Sequence, residues 1–419
     1  MHQFSKPIII SFILLLSFSI TIYAQENDRK LDISGQIRMR SENDAKDFNN
    51  DTGVHDFTLL RSRLNLKFSY SDKLIAFVQL QDSRTFGEEA TEGARATLTS
   101  IKNIDLHEGY IQLNHLFFPW LSYKFGRMAI KYDTQRLIGI NEWSNVGRSF
   151  NGSIVTLSFT KVRIDLLNIT LYESGRAPDL ADGDQTLSGI WLKINNPALK
   201  NFNIYALTDE DRQLDADDNY KIQRATVGAQ LKKEWSLLHL EAEMNLQTGK
   251  MNHTTDIFAY YLSGALGFDL DKNKKTNLSL GIDHLSGDKS NTDKYECFNT
   301  LYPARHRYFG YLDFFTDIPQ NTRNLGLTNF MAKLKTQSFD RIKLAADVHY
   351  FRLAQGALLE DASFSKELGA EVDLTFGYDY SKNVNFTFGA SIFVPGKVFK
   401  EWKGSDPSFW LYGQTSVSF

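Results

Sequence analysis

The chain has 419 residues, 42% of them hydrophobic and 23% charged, with a formal net charge of −3. That much charge excludes a bundle of membrane helices, and the near balance of signs excludes a nucleic-acid protein, which carries a basic excess. A single cysteine, Cys297, excludes an intrachain disulfide scaffold and has no histidine or asparagine context to make it a thiol nucleophile.

Residues 1–24 read as a targeting segment: Lys6 opens it, Ile8 to Ile22 is the apolar run, and Ile22-Tyr23-Ala24 before Gln25 is a cleavage site. No cysteine follows that site, so no lipid anchor is indicated. The exported chain, residues 25–419, is expected to be one domain. Past residue 24, no apolar run is long enough for a spanning helix.

From Leu31 the sequence alternates. Ile33, Ile37 and Met39 share one face of the first segment, and Gln36, Arg38 and Arg40 share the other. Leu60, Leu64, Leu66, Phe68 and Tyr70 then alternate with Arg61, Arg63, Asn65 and Lys67. Period two with one apolar and one polar face marks half-buried strands. The same grammar predicts strands near 31–40, 57–70, 74–83, 104–114, 122–131, 153–160, 162–172, 188–194, 202–209, 222–232, 237–247, 257–269, 276–286, 324–335, 342–352, 366–379, 384–393 and 408–419. Eighteen is an even number, as closed outer-membrane barrels prefer, and the abundance of Phe and Tyr suits their aromatic belts.

Connectors alternate short and long. Ser71–Lys73, Thr160-Lys161, Lys233–Ser236, Asp271–Lys275 and Ser381–Asn383 are short; Asn43–His55, Arg84–Asn103, Tyr132–Gly152, Asp209–Lys221 and Gly287–Arg323 are long. This is the pattern of a transmembrane antiparallel β-barrel with short periplasmic turns and long outer loops. A soluble sandwich gives no such order. The last strand puts Phe409, Leu411, Gly413, Thr415, Val417 and Phe419 on one parity, and a terminal aromatic of this kind is the usual signal to barrel-insertion machinery. The expected location is therefore the outer membrane of a Gram-negative cell, with lipid as the outer partner.

Two segments break parity. Val162, Ile164 and Leu166 give way to Leu167, Ile169 and Leu171, which predicts a bulge near Leu166. In the strand near 122–131, Arg127 shares a parity with Tyr123 and Phe125, and its sides stay unassigned.

The stretch Gly126–Gly152 concentrates Arg127, Lys131, Arg136 and Arg148 between glycines. Its Gly126-Arg127, Tyr132, Arg136-Leu137-Ile138-Gly139, Trp143 and Arg148-x-Phe150-x-Gly152 resemble the signature block of the alginate-export family of outer-membrane channels. So do Leu59-Leu60-Arg61-Ser62-Arg63, Gln79 to Arg84, Leu106-His107-Glu108-Gly109-Tyr110 and Tyr308-Phe309-Gly310-Tyr311 with Asp313. Asn151, where the family often has an acid, and Met128, where glutamine is common, depart from it without removing a positive charge. The resemblance implies an eighteen-stranded, monomeric barrel with a narrow arginine-lined conduit for an anionic polysaccharide.

Parity places Arg38, Arg40, Arg61, Arg63, Lys67 and Arg163 on lumen faces, with Arg127, Arg136 and Arg148 joining them from the signature block. Glu108, Glu241, Glu243, Asp283, Asp347, Glu371 and Asp373 form the expected acidic counterpart, mostly in the second half. A ladder of exposed guanidinium sites, each contributing about 0–1 kcal/mol per carboxylate, attracts a polyuronate yet lets it go. The alternatives are that these arginines only cross-brace a wet lumen, or that the channel is a general or small-anion porin. An outer-membrane enzyme is not expected, because no nucleophile elbow or metal motif appears. No cofactor is indicated, and His253, His306 and His349 lack metal-ligand spacing. The acids of residues 209–218 could hold calcium loosely, but they read first as a solvated loop. The aromatic loop Tyr295 to Asp317 is the expected plug or lid, if it does not simply pack on itself. Periplasmic delivery proteins are the further partners expected.

Overall fold

The computed structural model describes residues 28–87, 104–173, 184–196, 199–214, 220–289 and 291–419. The leader expected at 1–24 lies outside them. Eighteen long antiparallel strands form the wall: β1 (Arg29–Ala45), β2 (His55–Tyr70), β3 (Leu74–Thr85), β4 (Ile104–Leu113), β5 (Leu121–Met128), β6 (Phe150–Ser158), β7 (Val162–Tyr172), β8 (Gln185–Asn196), β9 (Leu199–Leu214), β10 (Tyr220–Trp235), β11 (Leu238–Lys250), β12 (Asp256–Asp269) and β13 (Thr276–Leu285), then β15 (Leu327–Phe339), β16 (Ile342–Leu358), β17 (Phe364–Asp379), β18 (Val384–Pro395) and β19 (Ser408–Ser418). The two-residue β14 (Lys294–Tyr295) sits in a loop and pairs in parallel with the start of β12. Each wall strand pairs with its sequence neighbours, and β19 pairs with β1 from Gln36↔Ser418 to Ala45↔Phe409, which closes the ring. Closure satisfies every strand edge internally, the condition for a sheet to cross hydrocarbon. Among the described residues no helix is long and apolar enough to cross a membrane.

All eighteen segments read from period two are strands. The reason is visible in β1: Ile37 and Met39 are 44% and 43% exposed on the outside, while Arg38 and Arg40 are 5% and 3% exposed inside. In β19, Phe409 and Leu411 face out, and Trp410 and Tyr412 face in. One face meets hydrocarbon and the other an interior rich in polar groups, so the pleat sorts residues strictly by parity.

Two local expectations are corrected. β7 has no bulge near Leu166: its register with β6 is unbroken from Asn151↔Thr170 to Ser158↔Arg163. Leu167 and Ile169 point inward and are buried, because at the loop end of the barrel the bore is filled with apolar loop residues. Outside, Asn168 bonds the hydroxyl of Ser188. The segments at 209–214 and from 220 are strand rather than loop, with Asp209 held by Arg224 at 2.7 Å and Arg224 buried. Glu210 is held by Arg212 at 3.0 Å. Asp215, Asp217 and Asp218 lie outside the described residues. β7 does shift register with β8 further on, between Thr170 and Tyr172, and β4 shifts register with β3 between Gln79 and Leu80. The extra residue, His107, turns inward to meet Arg63 Nη2 at 3.2 Å.

The signature glycines have a steric cause. Gly126 and Gly152 face each other across β5 and β6 with φ of +124° and +159°. A Cβ at Gly126 would sit 2.3 Å from the Gly109 carbonyl oxygen, and one at Gly152 would sit 2.2 Å from that of Asn168. Only glycine allows this conformation and this approach.

Candidate functional site

Two connections at the long-loop end fold into the bore, residues 129–149 and 295–326. They meet along a backbone ladder: Gly139 N–H donates to Tyr302 O, Tyr302 N–H to Leu137 O and Ala304 N–H to Gln135 O, each at 2.8 Å. The Trp143 ring stacks on His306 with centroids 3.9 Å apart, and His306 stacks in turn on Tyr311 at 4.6 Å. Behind this seam an apolar core packs Met128, Leu137, Ile138 and Phe150 against inward residues of β7 and β8, and Phe309, Leu312 and Phe315 against β16 to β18. The aromatic segment from Tyr295 to Ile318 is therefore built into the bore.

The wall grips the first loop with its arginines. Arg63 Nη1 reaches both carboxylate oxygens of Glu142, at 2.8 and 3.0 Å, and Arg61 Nη2 reaches Oε2 at 2.9 Å. Arg38 donates to the carbonyls of Glu142 at 2.7 Å and Ser144 at 3.0 Å. Arg40 donates to Trp143 O at 2.9 Å, lies 3.9 Å over the Trp143 ring, and is neutralised by Glu42 at 2.7 Å. Gln81 and Ser83 bond the carbonyls of Val146 and Asn145, each at 2.8 Å. Period two places Arg38, Arg40, Arg61 and Arg63 on the inward face, as observed; what the pattern does not contain is the loop they hold.

The acids on the inward faces grip as well. Glu108 accepts the Ala129 N–H at 2.8 Å, Glu243 the Thr134 hydroxyl at 2.8 Å and Glu371 the Leu312 N–H at 2.8 Å. Asp283, fully buried, pairs with Arg136 at 2.9 Å. Burial alone would lower the Arg136 pKa, but Asp283 together with Tyr261, Tyr308 and Glu243 holds it well above the ordinary value. Arg136 also stacks under Tyr308 at 3.9 Å, so it braces the loop and has no surface left for a passing solute. Glu241 pairs with Lys232 at 2.9 Å, Asp347 with Lys333 at 2.8 Å, and Asp373 accepts the Ser391 hydroxyl.

The remaining expected cations fall in different places. Arg163 lies on the inward face of β7 with its side chain 52% exposed and its Nε on Asp165 at 3.0 Å. Lys67 is half-buried, opposite Phe77 and Asp32. Arg127 does not join the inward set: it shares a parity with exposed Phe125, alternates with buried Met128, and bonds Asn151 across the outward side at 3.2 Å. Arg148 donates only to carbonyls, those of Gly139 and Pro303. Burial first, and then the neighbouring Arg305 charge, lower its pKa to about 10, which leaves it protonated at neutral pH. Among the described residues Arg148, Arg305 and Arg307 have no carboxylate partner.

Glu142, Arg305 and Arg307 lie on the docked loops, and the sequence pattern does not single them out. Glu142 is one of two acids in a stretch otherwise basic, and the two arginines sit in Ala304-Arg305-His306-Arg307-Tyr308, a basic run inside an aromatic loop; these are the signals that point to them. Among the described residues no group of three or more His, Cys, Asp or Glu side chains could hold a metal ion. Cys297 is buried, and burial pushes its thiol up to about 12, so it is not poised for reaction.

The chain matches the alginate export family over residues 29–410. No curated protein sequence matches it significantly. Among solved structures it is similar to OccK11 (OpdR) of Pseudomonas aeruginosa, at 12% identity and a TM-score of 0.59, covering 93% of this chain and 96% of that one. It is similar to OccAB4 of Acinetobacter baumannii at 10% identity and a TM-score of 0.61, covering 94% and 100%. Pseudomonas aeruginosa OpdK, solved with vanillate, is 11% identical with a TM-score of 0.59, covering 93% and 98%. At these identities the structures establish a shared fold.

Proposed function

The chain belongs to the alginate export family of outer-membrane channels, and we propose that it conducts an anionic, alginate-like polyuronate outward by passive passage. It resides in the outer membrane of a Gram-negative cell, a single barrel with short turns in the periplasm and long loops outside. The observation that carries the reading is the set Arg148, Arg305 and Arg307, three guanidinium groups on the two docked loops without a carboxylate partner among the described residues. Burial chiefly, and then the nearby Arg305 charge, lower the Arg148 pKa, and a carboxylate passing between Arg148 and Arg305 relieves their mutual repulsion. Each contact with an exposed cation is weak, about 0–1 kcal/mol, which favours transit over trapping. The chain acts as a conduit and carries out no catalysis. The reading includes a monomeric barrel and periplasmic proteins that present the polymer.

The test is single-channel current in planar bilayers with alginate oligomers. Block is expected in the wild type and should weaken in Arg148→Ala/Arg305→Ala; unchanged block removes this mechanism. A second reading, a porin for small anions, is supported by the apolar packing that fills much of the outer bore between loops and wall. Liposome swelling separates the two: rapid uptake of neutral monosaccharides favours the porin.

A further inference from the structure

On the periplasmic side of the docked loops, β5 to β8 enclose two adjoining cavities of about 470 and 410 Å³ that share Lys131, Tyr132, Arg163 and Asp165. Cavities that take small ligands run from about 300 to 1,000 Å³. We propose that this joined cleft is a docking subsite for acidic pyranose units, where the polymer is first held before it meets the loops. The proposal rests on the channel reading above and adds to it a place, a ligand chemistry and a side of the membrane.

Charge is the first argument. Lys124, Lys131, Arg163 and Lys193 line the cleft against Asp133 and Asp165. Asp165 is saturated from within: it accepts the Thr156 hydroxyl at 2.6 Å, Arg163 Nε at 3.0 Å and the Tyr132 hydroxyl at 3.2 Å. Arg163 is fixed by its Nε on Asp165 and by Nη2 on the Thr156 hydroxyl oxygen at 3.4 Å, and the rest of this half-exposed guanidinium lines the cavity. Asp133 is engaged only loosely, 3.6 Å from Lys193. Lys131 is exposed and has no carboxylate partner among the described residues. The balance favours one or two carboxylates.

The second argument is the flat surface. Tyr132, Trp191 and Tyr205 form a continuous stack, with centroids 4.3 Å and then 4.0 Å apart and planes within 14°. Trp191 is locked by its Nε1 on Asn203 at 3.2 Å. Tyr132 ends the stack and lines both cavities. An inorganic anion needs cations but no ring. A pyranose has an apolar C–H face that packs on an aromatic plane, and hydroxyls that suit Gln112, Asn114 and Asn195 at the margins. A hexuronate unit needs both features.

The third argument is access. His115 and Pro119, which line the larger cavity, belong to the turn between β4 and β5, so the cleft opens toward the periplasm. The order of encounter for an outbound chain is then this cleft first and the loop arginines second.

The experiment uses the full chain in planar bilayers with a trimannuronate probe added to one side at a time. Trimannuronate on the periplasmic side should block at lower concentration than on the outer side. In Lys131→Gln/Arg163→Gln the half-blocking concentration from the periplasmic side should rise about tenfold, as two exposed cations no longer meet the probe's carboxylates, with outer-side block unchanged. Tyr132→Leu, checked for folding by heat-modifiable gel migration, should weaken trimannuronate block but not the competing effect of sulfate. Equal block from both sides that the double variant leaves alone overturns the subsite. Equal block by neutral mannotriose overturns the charge requirement, and a Tyr132→Leu channel indistinguishable from wild type reduces the cleft to a simple anion patch, which also overturns it. If trimannuronate fails to block the wild type from either side, the channel reading itself fails.

Discussion

Replacing Glu142 by glutamine isolates charge from shape. The 141–146 segment stays held after the change, because Arg38, Arg40, Gln81 and Ser83 all bond its backbone carbonyls. What changes is the sign balance of the cluster around it. Arg38, Arg40, Arg61 and Arg63 carry four positive charges, and Glu42 and Glu142 carry two negative, so the net rises from +2 to +3 (4 − 2, then 4 − 1). The Glu142 side chain is 45% exposed, so its charge acts through a largely aqueous medium. A unit charge at about 4 Å in water shifts an ion's energy by about 1 kcal/mol, roughly a fivefold change in local anion concentration. Screening over about 10 Å at 0.1 M salt trims this. The zero-current potential across a KCl gradient should therefore report an anion-to-cation permeability ratio about two- to fivefold above wild type at 0.1 M, shrinking at 1 M. A ratio that stays put, or moves toward cations, would show that ions do not pass this cluster and would refute the placement of the permeation path.

The same carboxylate sets a pH response. Burial would raise the Glu142 pKa, but the Arg61 and Arg63 charges prevail and hold it below its ordinary value of 4.5. A depressed carboxylate contributes its loop-holding stability above its unfolded pKa and loses it as pH falls through the folded one. Selectivity should thus be flat from neutral pH down past 4.5, then turn more anionic in stronger acid, in current–voltage series. Gly126→Ala forces a Cβ to within 2.3 Å of a carbonyl oxygen at positive φ, and the heat-modifiable folded band should be lost or melt well below wild type. Asp283→Ala strands a buried arginine; a cost of about 3–5 kcal/mol should free Arg136 and raise open-channel noise, and a quiet trace would falsify its bracing role.

Strand positions are readable because two immiscible surroundings act on each strand, so Ile37 and Arg38 cannot exchange faces without penalty. The loops obey no such period. Nothing in the spacing of Arg38, Arg61 and Arg63 says that Glu142, about a hundred residues on from Arg38, will lie between them. The bulge expected in β7 fails for the same reason. Leu167 and Ile169 look lipid-facing only if the bore is taken as wet, and there it is packed with side chains from the infolded loops. Arg127 is assigned inward by its neighbours in the signature block, whereas its pairing with Asn151 follows the pleat.

The seam between β1 and β19 sets a condition on assembly. The first strand to leave the ribosome waits for the last, so no partial wall is self-sufficient during biogenesis. Deleting β19 would not shorten the cylinder but slit it along its whole height, leaving two naked hydrogen-bonding margins in lipid.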